Sequence, residues 1–285
     1  MTEPLIDIHN LEIAYGGGQM RAVRGMSFAL GQEKLGIVGE SGSGKSTVGR
    51  AIMKLLPPTA IVRAERMAFR DVDLLKADER KMMTIRGRRI GLILQDPKYS
   101  LNPVMRIGEQ IAETYRFHHP KAGAKQTYQQ ALDMLEAVQI RDPERVARLY
   151  PHEISGGMGQ RVMIAMMLIA EPEVLIADEP TSALDVTVRL EILALLDELV
   201  SRRNLGLIFI SHDLNLIRNF CDRVLIMYAG RVVEVLEARD LDRAKHPYTQ
   251  GLLASLPTID NPPARLPILK RDPVWLDDLA AEVRL

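Results

Sequence analysis

Gly39-Glu40-Ser41-Gly42-Ser43-Gly44-Lys45-Ser46-Thr47 lies between Leu35-Gly36-Ile37-Val38, an apolar run of strand length, and Val48-Gly49-Arg50-Ala51-Ile52-Met53-Lys54-Leu55-Leu56, which reads as a helix. Strand, Gly-x-x-x-x-Gly-Lys-Ser, helix is the context in which this pattern holds phosphate. Glycines let the backbone curl until successive N–H groups point inward, where side chains would block an anion. The helix that follows turns its N-terminal N–H groups and the positive end of its dipole to the same place. Lys45 is then placed to reach β- and γ-phosphates, and the Ser46 hydroxyl to hold Mg2+. A functionless Gly/Ser-rich turn has the same composition. The strand before it and the helix after it argue against that alternative.

The chain has 285 residues and a formal net charge of +0, enough for one large domain or two small ones. Charged residues at 26% and hydrophobic ones at 47% are ordinary for a globular protein, and there is no basic excess to recruit nucleic acid. The one cysteine, Cys221, excludes an intramolecular disulfide framework and a multi-cysteine metal cluster, and fits a reducing compartment. The start, from Met1 to Asp7, lacks the basic and apolar regions of a signal peptide. The longest apolar run, Val162–Ala170, is too short to span a bilayer, so any membrane role is expected to come through a partner.

Outward from the glycine-rich loop, Leu5–Tyr15 and Ala22–Leu30 read as two strands broken at Gly16-Gly17-Gly18, a small antiparallel sheet ahead of the phosphate strand. Tyr15, at the end of the first, is placed to stack on a base or merely to pack. Residues 60–89 are mixed, and Arg86-Gly87-Arg88-Arg89 reads as a solvated turn. Ile90–Leu94 is a buried strand ending in Gln95, an amide that beside a phosphate site can ligate Mg2+ or orient water. From Asn102 to Ala170 the pattern is helical; His118 and His119, beside Pro120, read as loop residues. Ser155-Gly156-Gly157 opens the apolar helix, with Ser155 as an N-cap or a phosphate donor.

Val174–Asp178 is a strand running into Asp178-Glu179-Pro180. Alternation along a strand turns the two acids to opposite sides, one toward a metal and one toward water. A helix over about 186–202 follows, then the strand Leu205–Ile210 closing in His212, which beside a phosphate core can hydrogen-bond a γ-phosphate. Arg223–Tyr228 and Arg231–Glu234 read as a closing hairpin, Cys221 as a small packed residue, and the segment after Leu256 as a proline-rich, extended tail. No internal repeat or low-complexity block is visible.

Taken in series, these motifs make the chain resemble the nucleotide-binding subunit of an ATP-binding-cassette (ABC) transporter over residues 5–256. Gly39–Ser46 matches the Walker A loop, Gln95 the Q-loop, Ile154–Gly157 the family signature loop, Val174–Asp178 Walker B with Glu179 beside it, Ser182–Asp185 the D-loop and His212 the switch histidine. Tyr15 falls where the family stacks an aromatic on adenine. Gln95-Asp96-Pro97, Ser100–Pro103, Ser155–Met158 and His246–Thr249 are similar to the peptide and nickel importer branch, in which methionine replaces the glutamine usual at position 158. Some members carry a cysteine-rich tail for an iron–sulfur cluster. No cysteine follows Cys221 here.

The resemblance implies an α/β fold: a P-loop NTPase core with an N-terminal antiparallel β subdomain and an inserted helical subdomain at about 97–170. It places the cassette at residues 1–245 and a C-terminal extension at 246–285. It implies an ATPase using ATP and Mg2+. Tyr15, Gly39, Ser41, Gly42, Gly44, Lys45, Ser46 and Thr47 would hold nucleotide; Ser46, Gln95 and Asp178 the metal. Glu179 would be the general base, with His212 and Gln95 assisting. Ser155, Gly156 and Gly157 would close on the ATP of a second, identical or related, cassette. Further expected partners are two transmembrane permease subunits and, indirectly, an extracytoplasmic solute-binding protein, with the chain peripheral on the cytoplasmic face of the membrane. Gln95 would be the hinge through which the helical region moves the permease. The solute expected is a di- or oligopeptide. The alternatives are a nickel or other small-solute importer, or a soluble ABC ATPase outside transport; the single cassette without a long insertion disfavours the last.

Overall fold

The structure, a computed structural model, describes residues 3–256 together with Asp272 and Trp275. The proline-rich tail expected after Leu256 otherwise lies outside the described residues. The chain forms two compact units, one of residues up to Asp78 and from Ile208 onward, the other of Glu79–Leu207.

In the first unit β1 (Ile6–Tyr15) and β2 (Met20–Leu30) pair antiparallel, as the alternation at Ile6, Ile8, Leu11 and Ile13 predicts. The sheet is larger than two strands. After β3 (Lys34–Gly39) and α1 (Lys45–Ile52), the strands β4 (Ile61–Arg63), β5 (Arg66–Phe69) and β6 (Val72–Asp73) return to it, giving the order β2-β1-β5-β6 with β4 also on β1. Helix α1 begins and ends earlier than the reading over 48–56. It starts at the lysine of the loop and stops where Met53 caps it and Lys54 takes a left-handed φ of 47°, ahead of Pro57 and Pro58.

The second unit opens with α2 (Glu79–Met83) and β7 (Ile90–Ile93). Then come α3 (Pro97–Ser100), α4 (Ile107–His118), α5 (Ala124–Ala137), α6 (Pro143–Ala147) and α7 (Gly156–Leu168), followed by β8 (Val174–Asp178) and α8 (Val186–Arg203). β7 and β8 are parallel, with Ile90 opposite Val174 and Ile93 opposite Ala177. The stretch 86–89 is not a plain solvated turn: Arg86 pairs with Glu79, and Arg89 with Glu173 at 2.7 Å. Nor is His118 in a loop. It ends α4, and its ring lies so close over Gly87 that a Cβ there would come within 2.9 Å of Nε2.

β9 (Gly206–Ser211) carries the chain from Leu207 of the second unit into the first. There follow α9 (Leu214–Phe220), β10 (Arg223–Tyr228), β11 (Arg231–Glu237) and α10 (Pro247–Ala254). In the first unit the order is β11-β10-β3-β9. β10 runs parallel to β3 with Leu225 opposite Ile37, and turns into β11 through Ala229 and Gly230, both at positive φ, a turn whose twist suits a hairpin. Leu35, Ile37, Val38, Ile208, Phe209, Ile210 and Val224–Met227 are all fully buried, which is why these strands read as continuous apolar runs rather than alternating ones. Cys221 packs over Gly36, and burial pushes its thiol well above the usual range, so it is a small core residue rather than a nucleophile. Among the described residues no helix is long and apolar enough to cross a membrane.

Candidate functional site

The glycine-rich loop leaves the carboxyl end of β3 and enters α1, the usual ligand position of an α/β sheet. Two of its glycines are required by packing. A Cβ on Gly39 would stand 2.1 Å from the backbone oxygen of Met227 on the neighbouring strand, and one on Gly44, at φ +99°, 2.3 Å from the Ala22 oxygen. Gly42 also sits at positive φ, with nothing near its Cβ position. Ser41 and Gly42 are exposed, and Ser46 and Thr47 half-buried in the first turn of α1.

Helices α7, α8 and α9 are capped by side chains: Ser155 accepts from the Met158 N–H (3.3 Å), Asp185 from Val188 (3.0 Å) and Asp213 from Leu216 (3.1 Å). α1 begins on Gly44, which has no side chain for this, so no side-chain cap covers the end of the helix that faces the loop. Lys45, only 5% exposed, curls back over the loop. Its ammonium donates to the carbonyls of Gly39 and Glu40, both at 2.8 Å, and reaches Ser43 Oγ at 3.5 Å. A buried cation inside a curl of backbone that cannot take side chains at Gly39 or Gly44 is a fit for a phosphate chain. Tyr15 ends β1 half-buried. His212 is exposed just past β9, in a turn fixed by the Asp213 N–H donating to Ser211 Oγ at 3.0 Å.

In the second unit Asp178 ends β8 at 6% exposure. Glu179 departs from the alternation expected for adjacent strand residues. It is already off the strand, with a left-handed φ of 48° that costs about 1–2 kcal/mol in a non-glycine residue. Its carbonyl accepts from the Ser182 N–H (3.3 Å) and hydroxyl (3.1 Å), a turn that holds the strained residue in place. Glu179 Oε2 accepts from Gln95 Nε2 at 3.4 Å, so the chain brings together two of the residues singled out, 84 positions apart. Asp178 carries a hard carboxylate oxygen in this unit and Ser46 a hydroxyl in the first; each by itself is of the donor type Mg2+ takes. Among the described residues there is no cluster of three or more His, Cys, Asp or Glu that could hold a metal ion.

Ser155, Gly156 and Gly157 form a separate station where α7 starts. Ser155 is exposed and does act as the cap, its hydroxyl still able to donate. A Cβ on Gly157 would stand 2.6 Å from Val188 Cγ1 of α8, whereas one on Gly156 would meet only Leu184 Cδ2, at 3.8 Å. The sequence reading missed two supporting hydroxyls: Ser43, buried against the Lys45 ammonium, and Ser182, which pins Glu179. A serine two positions before the lysine and one three after the glutamate were the available signals.

The family model described as "ABC transporter" matches residues 23–182. The chain is 46% identical over 262 residues to the oligopeptide transport ATP-binding protein OppD of Bacillus subtilis, covering 90% of this chain and 73% of that one. It is 44% identical over 263 residues to the dipeptide transport ATP-binding protein DppD of the same organism, covering 90% and 78%. Among solved structures, MJ0796, an ATP-binding cassette in a dimeric post-hydrolysis state bound to ADP and Pi, superposes with a TM-score of 0.71 at 26% identity over 82% of this chain and 99% of its own. CbiO1 from Clostridium perfringens, part of the ABC transporter complex cbiONQ, gives 0.73 at 26% identity over 85% and 92%.

Proposed function

Since this chain belongs to the ABC transporter family, we propose that it powers the import of di- or oligopeptides through a membrane permease. It is an ATPase of that family and works on ATP with Mg2+. The observation that carries the peptide reading is the identity of 46% and 44%, over nine-tenths of the chain, to subunits named for oligopeptide and dipeptide transport. We place the chain at the cytoplasmic face of the membrane, bound to two permease subunits and to a second cassette, with a solute-binding protein delivering peptide from outside.

Phosphoryl transfer to water is chiefly positioning and charge stabilisation. We assign that work as follows. The curled loop Gly39–Thr47 and the Lys45 ammonium grip the β- and γ-phosphates, the ammonium exchanging its two carbonyl partners for phosphate oxygens. Tyr15 stacks on the base. Ser46, Asp178 and Gln95 would hold Mg2+, which when bound would neutralise the phosphate oxygens. Glu179 takes the proton of the attacking water, held in aim by its left-handed turn and by the Gln95 amide. His212 steadies the γ-phosphate. Ser155, Gly156 and Gly157 close on the ATP of the partner cassette through the hydroxyl proton and the N–H groups opening α7.

The test is reconstitution of the chain with its two permease subunits, partner cassette and binding protein in vesicles. ATP-dependent uptake of labelled di- or oligopeptides supports the proposal. Uptake of nickel in place of peptide moves it to the other branch, and ATP hydrolysis with no permease association removes the transport role.

A further inference from the structure

Tyr248 is fully buried, yet its ring ends in a hydroxyl that accepts the backbone N–H of Glu40 at 3.2 Å, 208 residues earlier. That N–H belongs to the Gly39–Glu40 peptide, whose oxygen accepts the Lys45 ammonium at 2.8 Å. One peptide plane of the phosphate loop is thus held at both edges, by the lysine on one and by Tyr248 on the other. Hydrogen bonds linked through one amide polarise and strengthen each other.

The tyrosine is itself anchored. It is the second residue of α10, where His246 Nδ1 accepts its N–H at 3.2 Å, leaving the proton of the neutral ring on Nε2. Glu234 of β11 accepts the N–H groups of Lys245 (2.6 Å) and His246 (3.3 Å), tying the start of α10 to the sheet. The phenol ring packs on Tyr228 with centroids 4.6 Å apart. Over this cluster lies Trp275, its ring 5.7 Å from those of Tyr228 and His246 and 6.2 Å from that of Tyr248.

We propose that Tyr248 is a positioning residue for the phosphate loop, and that Trp275, from the C-terminal segment, is the cover that keeps it on Glu40. Phenylalanine would fill the same space. A buried tyrosine needs a partner for its oxygen, and here one is the loop itself. A loop held in its binding shape loses less freedom when phosphate arrives, so the C-terminal segment tunes nucleotide affinity. This rests on the reading of Gly39–Thr47 as the ATP site.

The test titrates the full chain with Mg-ADP by calorimetry and measures ATP turnover. Y248F keeps the ring and removes only the oxygen. It is expected to weaken Mg-ADP binding about three- to tenfold, the loss of one hydrogen bond, and to raise the KM for ATP rather than lower kcat. W275A is expected to weaken binding in the same direction, by about two- to threefold. Trp275 is the only tryptophan in the chain, so its emission is expected to respond to Mg-ADP in the unmodified protein and to lose that response in Y248F. Y248F binding Mg-ADP as tightly as the unmodified chain would reduce Tyr248 to packing and overturn the proposal while leaving the ATP site intact. An unmodified chain that bound no Mg-ADP would overturn both. Should Y248F not fold, unchanged affinity in W275A overturns the proposal by itself.

Discussion

Gly157→Ala is expected to destabilise the protein, and the cause can be located to one methyl group. A Cβ at position 157 would lie 2.6 Å from Val188 Cγ1, with the other branch atoms of Val188 at 3.9 Å. Carbon atoms sit well at about 3.5–4.0 Å, so the overlap is about 1 Å. Val188 is in the first turn of α8, and a β-branched side chain on a helix has one strongly preferred χ1, so the methyl cannot simply swing away. The starts of α7 and α8 must part instead. Overpacking of this kind costs about 1–3 kcal/mol, and the better helix propensity of alanine offsets up to about 1 kcal/mol. The net loss is about 1–2 kcal/mol, or about 2–3 °C in Tm for 285 residues at about 2.1 cal/mol/K per residue.

The assay is thermal and urea unfolding of G157A, V188A, the double variant and G156A. The double variant should recover stability relative to the sum of the singles by about 0.5–1 kcal/mol or more, because V188A removes the obstructing methyl. G156A, whose Cβ meets only Leu184 at 3.8 Å, should be no less stable than the unmodified chain and up to about 1 kcal/mol more stable through alanine's helix propensity. In the reconstituted complex, however, G156A should slow ATP turnover if, as proposed, this loop closes on the partner's nucleotide. If G157A melts unchanged, or V188A gives no rescue, the packing argument fails. A stable and fully active G156A would remove the functional role given to this glycine.

Lys45→Ala removes a buried ammonium and should weaken Mg-ADP binding about 10- to 100-fold, the range for charge-assisted bonds to phosphate; unchanged binding in a titration would count against the loop assignment. Glu179→Gln should retain ATP binding while turnover drops about 100-fold or more, and near-normal hydrolysis would reject it as the base. Burial, aided by Arg88 and His119, holds the His118 imidazole below its ordinary pKa, so the folded state disfavours its charged form. Its contribution to stability is therefore complete above the ordinary value of about 6.5 and is lost as pH falls toward the lowered one. Tm should fall on acidification in this window, and His118→Gln should flatten that fall; an identical pH profile for the variant would show that the ring titrates as if exposed.

Much of this architecture was legible because it is written locally. Leu35–Val38 has the continuous apolar character of a strand buried on both faces, and Ser155 and Asp185 stand directly ahead of apolar helices, where capping oxygens belong. What stayed hidden is set by distant partners or by single backbone angles. Arg66–Phe69 has only four residues, flanked by charge, and becomes a strand because Met67 and Phe69 find Ile8 and Ile6 opposite them. The end of α1 at Ile52 depends on a left-handed Lys54, and the aim of Glu179 on its own positive φ. Neither lysine nor glutamate advertises that conformation as glycine does. The hold of Tyr248 on Glu40 crosses 208 residues and has no local pattern at all.

The glycines of the two phosphate-type loops divide into two physical kinds, and the division bears on function. Gly39, Gly44 and Gly157 are glycine because the protein's own atoms fill the space a Cβ would take, at 2.1, 2.3 and 2.6 Å. Their presence would be needed in a protein that bound nothing. Gly42 has open space but a positive φ, so its backbone alone accounts for it. Gly156 has neither constraint: it lies in the first turn of an α-helix, where alanine is the better residue, and the nearest atom to a Cβ is 3.8 Å away. Of these five positions it is the one whose glycine is unexplained by packing or backbone within this chain. A bare backbone at the mouth of α7 is what the proposed closure on the partner's nucleotide would require. G156A, a substitution expected not to lower stability, is therefore the sharpest probe of that proposed closure.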